Sequence, residues 1–133
     1  MFEFNKDIKR RDEVIFGSYD PEEYFGGVRR FEKMTLQTLK ILITEKFMNE
    51  NEQINYRPAI KKTVSFMEKH SERNFTVDGF AVHDSRGDYR VSIDAISYEG
   101  SELDDDTIIE LKKLTLDADD VCIEKNCVYC WWD

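Results

Sequence analysis

Three groups of residues have the types and spacing that chemistry needs. The first is the cysteines. Cys127-Val128-Tyr129-Cys130 has CxxC spacing, and Cys122 lies five residues earlier. With His83 these thiols would complete a Cys3His set for zinc. The intervening residues argue against it. Val128 and Tyr129 are strand formers, and a strand turns Cys127 and Cys130 to opposite faces. A redox CxxC opens a helix, whereas this one lies in a strand pattern three residues from the end of the chain. Ordinary thiols in and beside a half-buried strand are expected, with no cofactor.

The second group is His83 and Asp84. A histidine beside a carboxylate can act as a base and its orienter. Ser85 follows in the same turn, without the strand–nucleophile–helix setting of an activated serine. His70, the other histidine, falls at the end of an expected helix, where a cation is favoured.

The third group is the carboxylates. Asp104, Asp105 and Asp106 precede a short helical pattern, and Asp117, Asp119 and Asp120 follow it; Asp78 or Asp94 could join them. Their spacing does not match a calcium loop. Capping and solvation explain them. Docking on a basic partner would use them too.

Other motifs are weaker. Gly26-Gly27 before Val28-Arg29-Arg30 would cradle an anion if a helix began there. Neither phosphate-loop nor dinucleotide glycine spacing is present, so a helix break is the plainer expectation. Arg86-Gly87-Asp88 spells an adhesion tripeptide but reads as turn composition. Tyr129, Trp131 and Trp132 crowd the last strand pattern, and aromatics are favoured interface anchors. Alternation puts Tyr129 and Trp131 on one face and Trp132 on the other. Either an aromatic is exposed, or Trp131 closes the core and Trp132 caps its edge.

Charge narrows the class. The 133 residues carry a formal net charge of −9. Residues 74–133 hold 15 acids against 5 bases, so the excess belongs to the second half. General nucleic-acid binding needs the opposite sign. A basic protein is the partner this charge suits. Apolar runs such as Ile41-Leu42-Ile43 are far short of the ~18 residues of a membrane span. Acids near Met1 do not suit a signal peptide, so a reducing cytoplasm is expected.

These groups need elements to position them. The sequence reads as one domain over 1–133, with 1–19 as an arm or irregular segment and residues 13–17 as a short strand. Asp20-Pro21-Glu22-Glu23 reads as a capped helical turn. Val28, Phe31, Leu36, Leu39, Leu42, Ile43 and Phe47 recur at steps of three and four and predict one long helix over 28–48. A second helix is expected from Asn55 or Tyr56, with Pro58 in its first turn, to about His70. Residues 75–83 and 89–96 predict a hairpin, with Gly79 as a bulge or close approach. Tyr89, Val91 and Ile93 are expected on the core side and Arg90, Ser92 and Asp94 outside. Asp104 to Asp106 start a third helix, and 121–123 pairs with 128–132.

The expected fold class is therefore α+β in two layers: an antiparallel sheet of about four strands with two to three helices on one face. The functional expectation is a non-enzymatic protein-binding module, such as an immunity- or antitoxin-type inhibitor of a basic partner. It would use Asp104, Asp105, Asp106, Asp117, Asp119, Asp120, Trp131 and Trp132. The alternatives are a small-ligand or hydrolytic enzyme domain using His83 and nearby carboxylates, and a structural subunit of a larger assembly.

Overall fold

The computed structural model describes residues 2–54 and 56–133. Asp7 opens the first helix by accepting the Arg10 N–H at 3.1 Å, and Gly17 closes it in a left-handed conformation. This helix, α1 (Ile8–Phe16), replaces the arm and short strand expected over 1–19. Its cap residues are the signal that expectation overlooked. Asp20 caps a short 3-10 turn, Pro21–Glu23, as the sequence predicts.

The largest difference follows. Residues 28–48 are a strand and then a helix, β1 (Val28–Met34) and α2 (Leu36–Thr44), where one long helix was expected. Gly26 and Gly27 both have positive φ, and Phe25 and Val28 exchange backbone hydrogen bonds across them. That is the two-residue hairpin turn that glycine pairs favour. It launches a strand. Thr35 then accepts the Thr38 N–H and starts α2. The helical spacing of β1 is a bulge in disguise. Lys33 takes φ 54° and donates its N–H to Asp78 at 2.9 Å, which inserts an extra residue and puts the buried Phe31 and Met34 three apart.

The third helix, α3 (Ile60–Lys69), starts after Pro58, with Ala59 at its cap. Tyr56 and Pro58 therefore lie in the loop ahead of it, and Asn55, the other expected cap, lies outside the described residues. The hairpin forms as predicted, from β2 (Thr76–Val82) and β3 (Val91–Glu99). Then come α4 (Asp105–Leu114), β4 (Asp120–Ile123) and β5 (Cys127–Trp131). The class is α+β, with a five-stranded antiparallel sheet in the order β1-β2-β3-β5-β4 and four helices. The fifth strand is β1 and the fourth helix is α1.

Register assigns the faces. Val77, Ile96 and Cys130 line up across β2, β3 and β5 and join the helix residues Leu39, Leu42, Met67 and Leu111 in one core. Thr76, Ser97 and Tyr129 line up on the other face, where Thr76 and Ser97 share a hydrogen bond of 2.8 Å. Val91 is buried as expected, while Ile93 is only half-buried. Ser92 and Asp94 are buried, against expectation, because Arg57 binds the first and Arg30 the second.

At Gly79 the backbone of β3 and the Phe31 ring leave no room for a side chain. A Cβ there would overlap the Ser92 carbonyl oxygen and sit 2.7 Å from Phe31 Cζ. Backbone cannot give way as a flexible side-chain end can. Gly79→Ala is expected to lower stability by about 3 kcal/mol or more, beyond the usual cost of overpacking. Urea unfolding measures it, and a loss under about 1 kcal/mol would contradict this packing.

Candidate functional site

The last two strands build the most unusual surface. β4 pairs only with β5, so it forms an edge of the sheet. Asp119 donates its N–H to the Trp131 carbonyl at 2.9 Å and accepts the Asp133 N–H on its carboxylate at 2.7 Å. Asp120 sits opposite Trp131, and Cys122 sits opposite Tyr129. Leu116, Val121 and Tyr129 are exposed. Tyr129 and Trp131, two apart on β5, share the face that carries Asp78 and Asp94. Burial raises the Tyr129 phenol above its ordinary range, and the negative charges of Asp78 and Asp94 add to the shift. Arg30 holds Asp94 through two bonds, at 2.8 and 3.1 Å.

The expected partner-binding residues divide. Asp117, Asp119, Asp120 and Trp131 gather at this corner. Asp104, Asp105 and Asp106 do not join them, because they start the ten-residue helix α4 whose far end leads to Asp117. A helix of that length separates the groups by about 15 Å. Asp104 is an N-cap: it accepts from the Thr107 hydroxyl at 2.6 Å and the Thr107 N–H at 3.2 Å. These bonds hold its carboxyl below the usual range. Trp132 is 4% exposed and belongs to the core, so it is no surface anchor. The two tryptophans thus exchange their expected roles: Trp132 fills the core and Trp131 lies half-exposed.

The thiols separate as strand alternation requires. Cys127 and Cys122 are exposed, and Cys130 is buried. Burial pushes the Cys130 thiol up, the opposite of an activated thiolate. Among the described residues no group of three or more His, Cys, Asp and Glu side chains is placed to hold a metal. Gly26-Gly27 precedes a strand rather than a helix, which removes the helix N-terminus the anion reading required. Arg86 pairs with Asp88 through two bonds of 2.9 Å and packs over Gly27, so the tripeptide closes on itself.

His83 stands in a polar cluster only partly visible in the sequence. Its Nδ1 lies 3.1 Å from the Asp84 carboxylate, 3.0 Å from the Ser85 hydroxyl and 3.1 Å from the Ser85 N–H, which donates to it. Its Nε2 lies 3.0 Å from the Tyr19 hydroxyl. Tyr24 packs edge-on against the ring at 5.0 Å. Behind it, Arg11 and Asp12 are both fully buried. Arg11 bonds Asp12 at 3.0 Å, the Val82 carbonyl at 2.8 Å and the Tyr24 hydroxyl at 2.8 Å, and Tyr24 donates to Asp12. Burial and that last bond raise the Tyr24 phenol well above its ordinary range. Adjacent Arg11 and Asp12 fall in the segment expected to be an arm, and no sequence signal marks these charges as buried. The cluster consumes its polar groups in tying α1 to the β2 end of the sheet. The pockets lined by Arg57, by Ile41, by Tyr129 and by Met67 lie elsewhere.

Two outcomes test these electrostatics. Arg11→Ala strands the buried Asp12 charge and is expected to lower stability by about 3–5 kcal/mol. The double change Arg11→Met with Asp12→Leu should recover much of that loss in the same urea titration. An R11A protein as stable as the parent would show that the pair does not tie α1 down. Asp78 gives a pH signature. Burial raises its carboxyl, the nearby Glu32 and Asp94 add to the shift, and the Lys33 N–H opposes it. A carboxyl raised in the fold binds its proton more tightly there than in the unfolded chain. Stability from this group is therefore full below the unfolded value of about 3.9 and declines as pH rises through the folded value. Asn keeps the acceptor for Lys33 without the charge. The melting temperature of D78N relative to the parent should rise between pH 4 and pH 7. A gap that is flat or falls over that range would refute the assignment.

No known family, curated protein or solved structure matches this chain.

Proposed function

We propose that the protein is a non-enzymatic binding module that docks a basic protein against the corner formed by β4 and β5. The observation that carries this reading is the placement of Tyr129 and Trp131 side by side on one sheet face, with Asp120 opposite Trp131 on the edge strand and Asp119 bonded to the Trp131 carbonyl. Aromatic rings supply contact area, and the exposed acids Asp117, Asp119 and Asp120 steer a partner of the opposite sign. Val121, opposite Cys130, is exposed on the other face of the same edge strand. The edge strand also offers backbone groups to which an incoming strand could pair. A chain of this size and charge suits an inhibitor that covers a basic active site, in the manner of an immunity protein or antitoxin.

The test begins with capture of the partner from host lysate at ~0.05 M and ~0.5 M salt, where screening separates charge-steered from other contacts. Association rates with the purified partner follow. Asp119→Asn with Asp120→Asn should slow association and flatten its salt dependence. Tyr129→Ala should speed dissociation about tenfold or more, as loss of an interface anchor does. The paired change Asp105→Asn with Asp106→Asn, at the far end of α4, should leave dissociation unaltered. An acidic partner, or variants of the corner that bind as the parent does, would remove this reading.

A further inference from the structure

The sheet is open, with β1 at one edge and β4 at the other, and the two edges differ. β1 carries the guards that natural edge strands use. Its register breaks between Phe31 and Met34, and it holds Arg29, Arg30 and Lys33. β4 has neither guard. Its pairing with β5 is unshifted from Asp120 to Ile123, and its residues include no Lys, Pro or Gly. Val121 in its middle is 50% exposed. A regular, unguarded edge strand is a template for another strand.

The bonded side of β4 defines its free side. Glu124 donates its N–H to the Cys127 carbonyl at 2.9 Å, so these two form a closely bonded pair. Such pairs alternate along an antiparallel ladder. Asp120 and Cys122 therefore turn their N–H and C=O groups toward β5, and Val121 and Ile123 turn theirs outward. Side chains alternate too. Asp120 and Cys122 stand opposite Trp131 and Tyr129, on the face away from the core, and Glu124 follows them there. Val121 and Ile123 stand opposite Cys130 and Val128, which belong to the core, and Ile123 packs against it. The free edge thus presents exposed acids, Asp120 and Glu124, on one face and apolar Val121 and Ile123 on the other.

We propose that β4 takes up a short extended segment of a basic partner as an added antiparallel strand, and that the segment reads basic–apolar–any–apolar–basic. This inference rests on the corner as the docking site and names the part of the partner that docks. The two apolar residues lie opposite Val121 and Ile123 and exchange backbone hydrogen bonds with them. The two basic residues lie opposite Asp120 and Glu124, where unlike charges across a strand pair are favourable. The central residue faces Cys122. Antiparallel pairing is the more stable ladder per residue. A second copy of this chain does not suit the edge. In the register that sets Val121 against Ile123 of the second copy, Asp120 would face Glu124, and like charges directly opposite are destabilising.

The experiment titrates the isotope-labelled full chain with the peptide acetyl-Lys-Val-Thr-Val-Lys-amide at ~0.05 M salt, followed through backbone amide signals by NMR. The Val121 and Ile123 amides should shift saturably, with half-saturation below ~1 mM, and should exchange more slowly with solvent. Acetyl-Val-Lys-Thr-Lys-Val-amide has the same composition but swaps the two faces, and should bind about fivefold more weakly or worse. A form of the first peptide N-methylated at both valines keeps its side chains, loses its donors to β4, and should not bind. Asp120→Asn with Glu124→Gln should weaken the first peptide about fivefold and flatten its salt dependence. Val121→Pro removes an outward N–H at an edge, where proline is tolerated, and should weaken it about fivefold. If V121P does not fold, the N-methylated peptide asks the same question of the parent chain. No saturable shift, equal binding of either control peptide, or pairing of the chain with itself through β4 would overturn strand addition. A basic protein that depends on Asp119 and Tyr129 but leaves the Val121 and Ile123 amides unprotected would uphold the corner as a docking site and end this inference.

Discussion

At Gly79 the backbones of β2 and β3 come so close that no side chain fits between them, and a bulge lies on either side. In β1 the extra residue is at Lys33, tied to Asp78. In β3 it is Asp94, which stands between the partners of Asp78 and Gly79. A bulge resets which face each later residue takes. Were β3 regular, Asp94 would share a face with Ile96 and Tyr98 in the core. The bulge instead lets Arg30 reach it. It also sets the register that places Ala95 against Trp131 and Ser97 against Tyr129. The composition of the β5 surface therefore depends on a glycine two strands away.

The two ends of the sheet are secured differently. At one end, buried Arg11 and Asp12 with half-buried Tyr24 join α1 to β2 through bonds that leave little polar capacity unspent. Such clusters are costly to break and serve structure well. At the other end, α4 and the last two strands meet with few side-chain ties, and exposed Leu116, Val121 and Tyr129 stay at the surface. A narrow pocket beside Arg57 lies between these regimes. Arg57 and Trp132 bring buried donors to it, and Ile60, Ile96 and Leu114 line it. Among the described residues no helix is long and apolar enough to cross a membrane.

Much of the fold was legible in the sequence. Asp20-Pro21, Asp104 and the alternating hairpin gave correct elements because each signal is local: a cap, a fixed φ, a two-residue period. The long-helix expectation failed because a bulged strand puts its buried residues three apart. The Gly26-Gly27 turn and Thr35 held the contrary evidence. The site was less legible. Asp119 and Asp120 lie beside Trp131, but the acids before α4 lie a helix length away.

Composition and local pattern alone determined that this chain is acidic, that its second half carries the excess charge, that it mixes helices with antiparallel strands, and that Cys127 and Cys130 point apart. These follow from residue counts and from the period of a strand. Only the tertiary structure decided that Trp132 is core while Trp131 meets solvent, that adjacent Arg11 and Asp12 are fully buried, and that Arg57 and Trp132 bring buried donors to one pocket. Those facts depend on register, on a bulge and on where one strand stops beside another. Pairing between distant segments fixes all three, and no stretch of neighbouring residues records it.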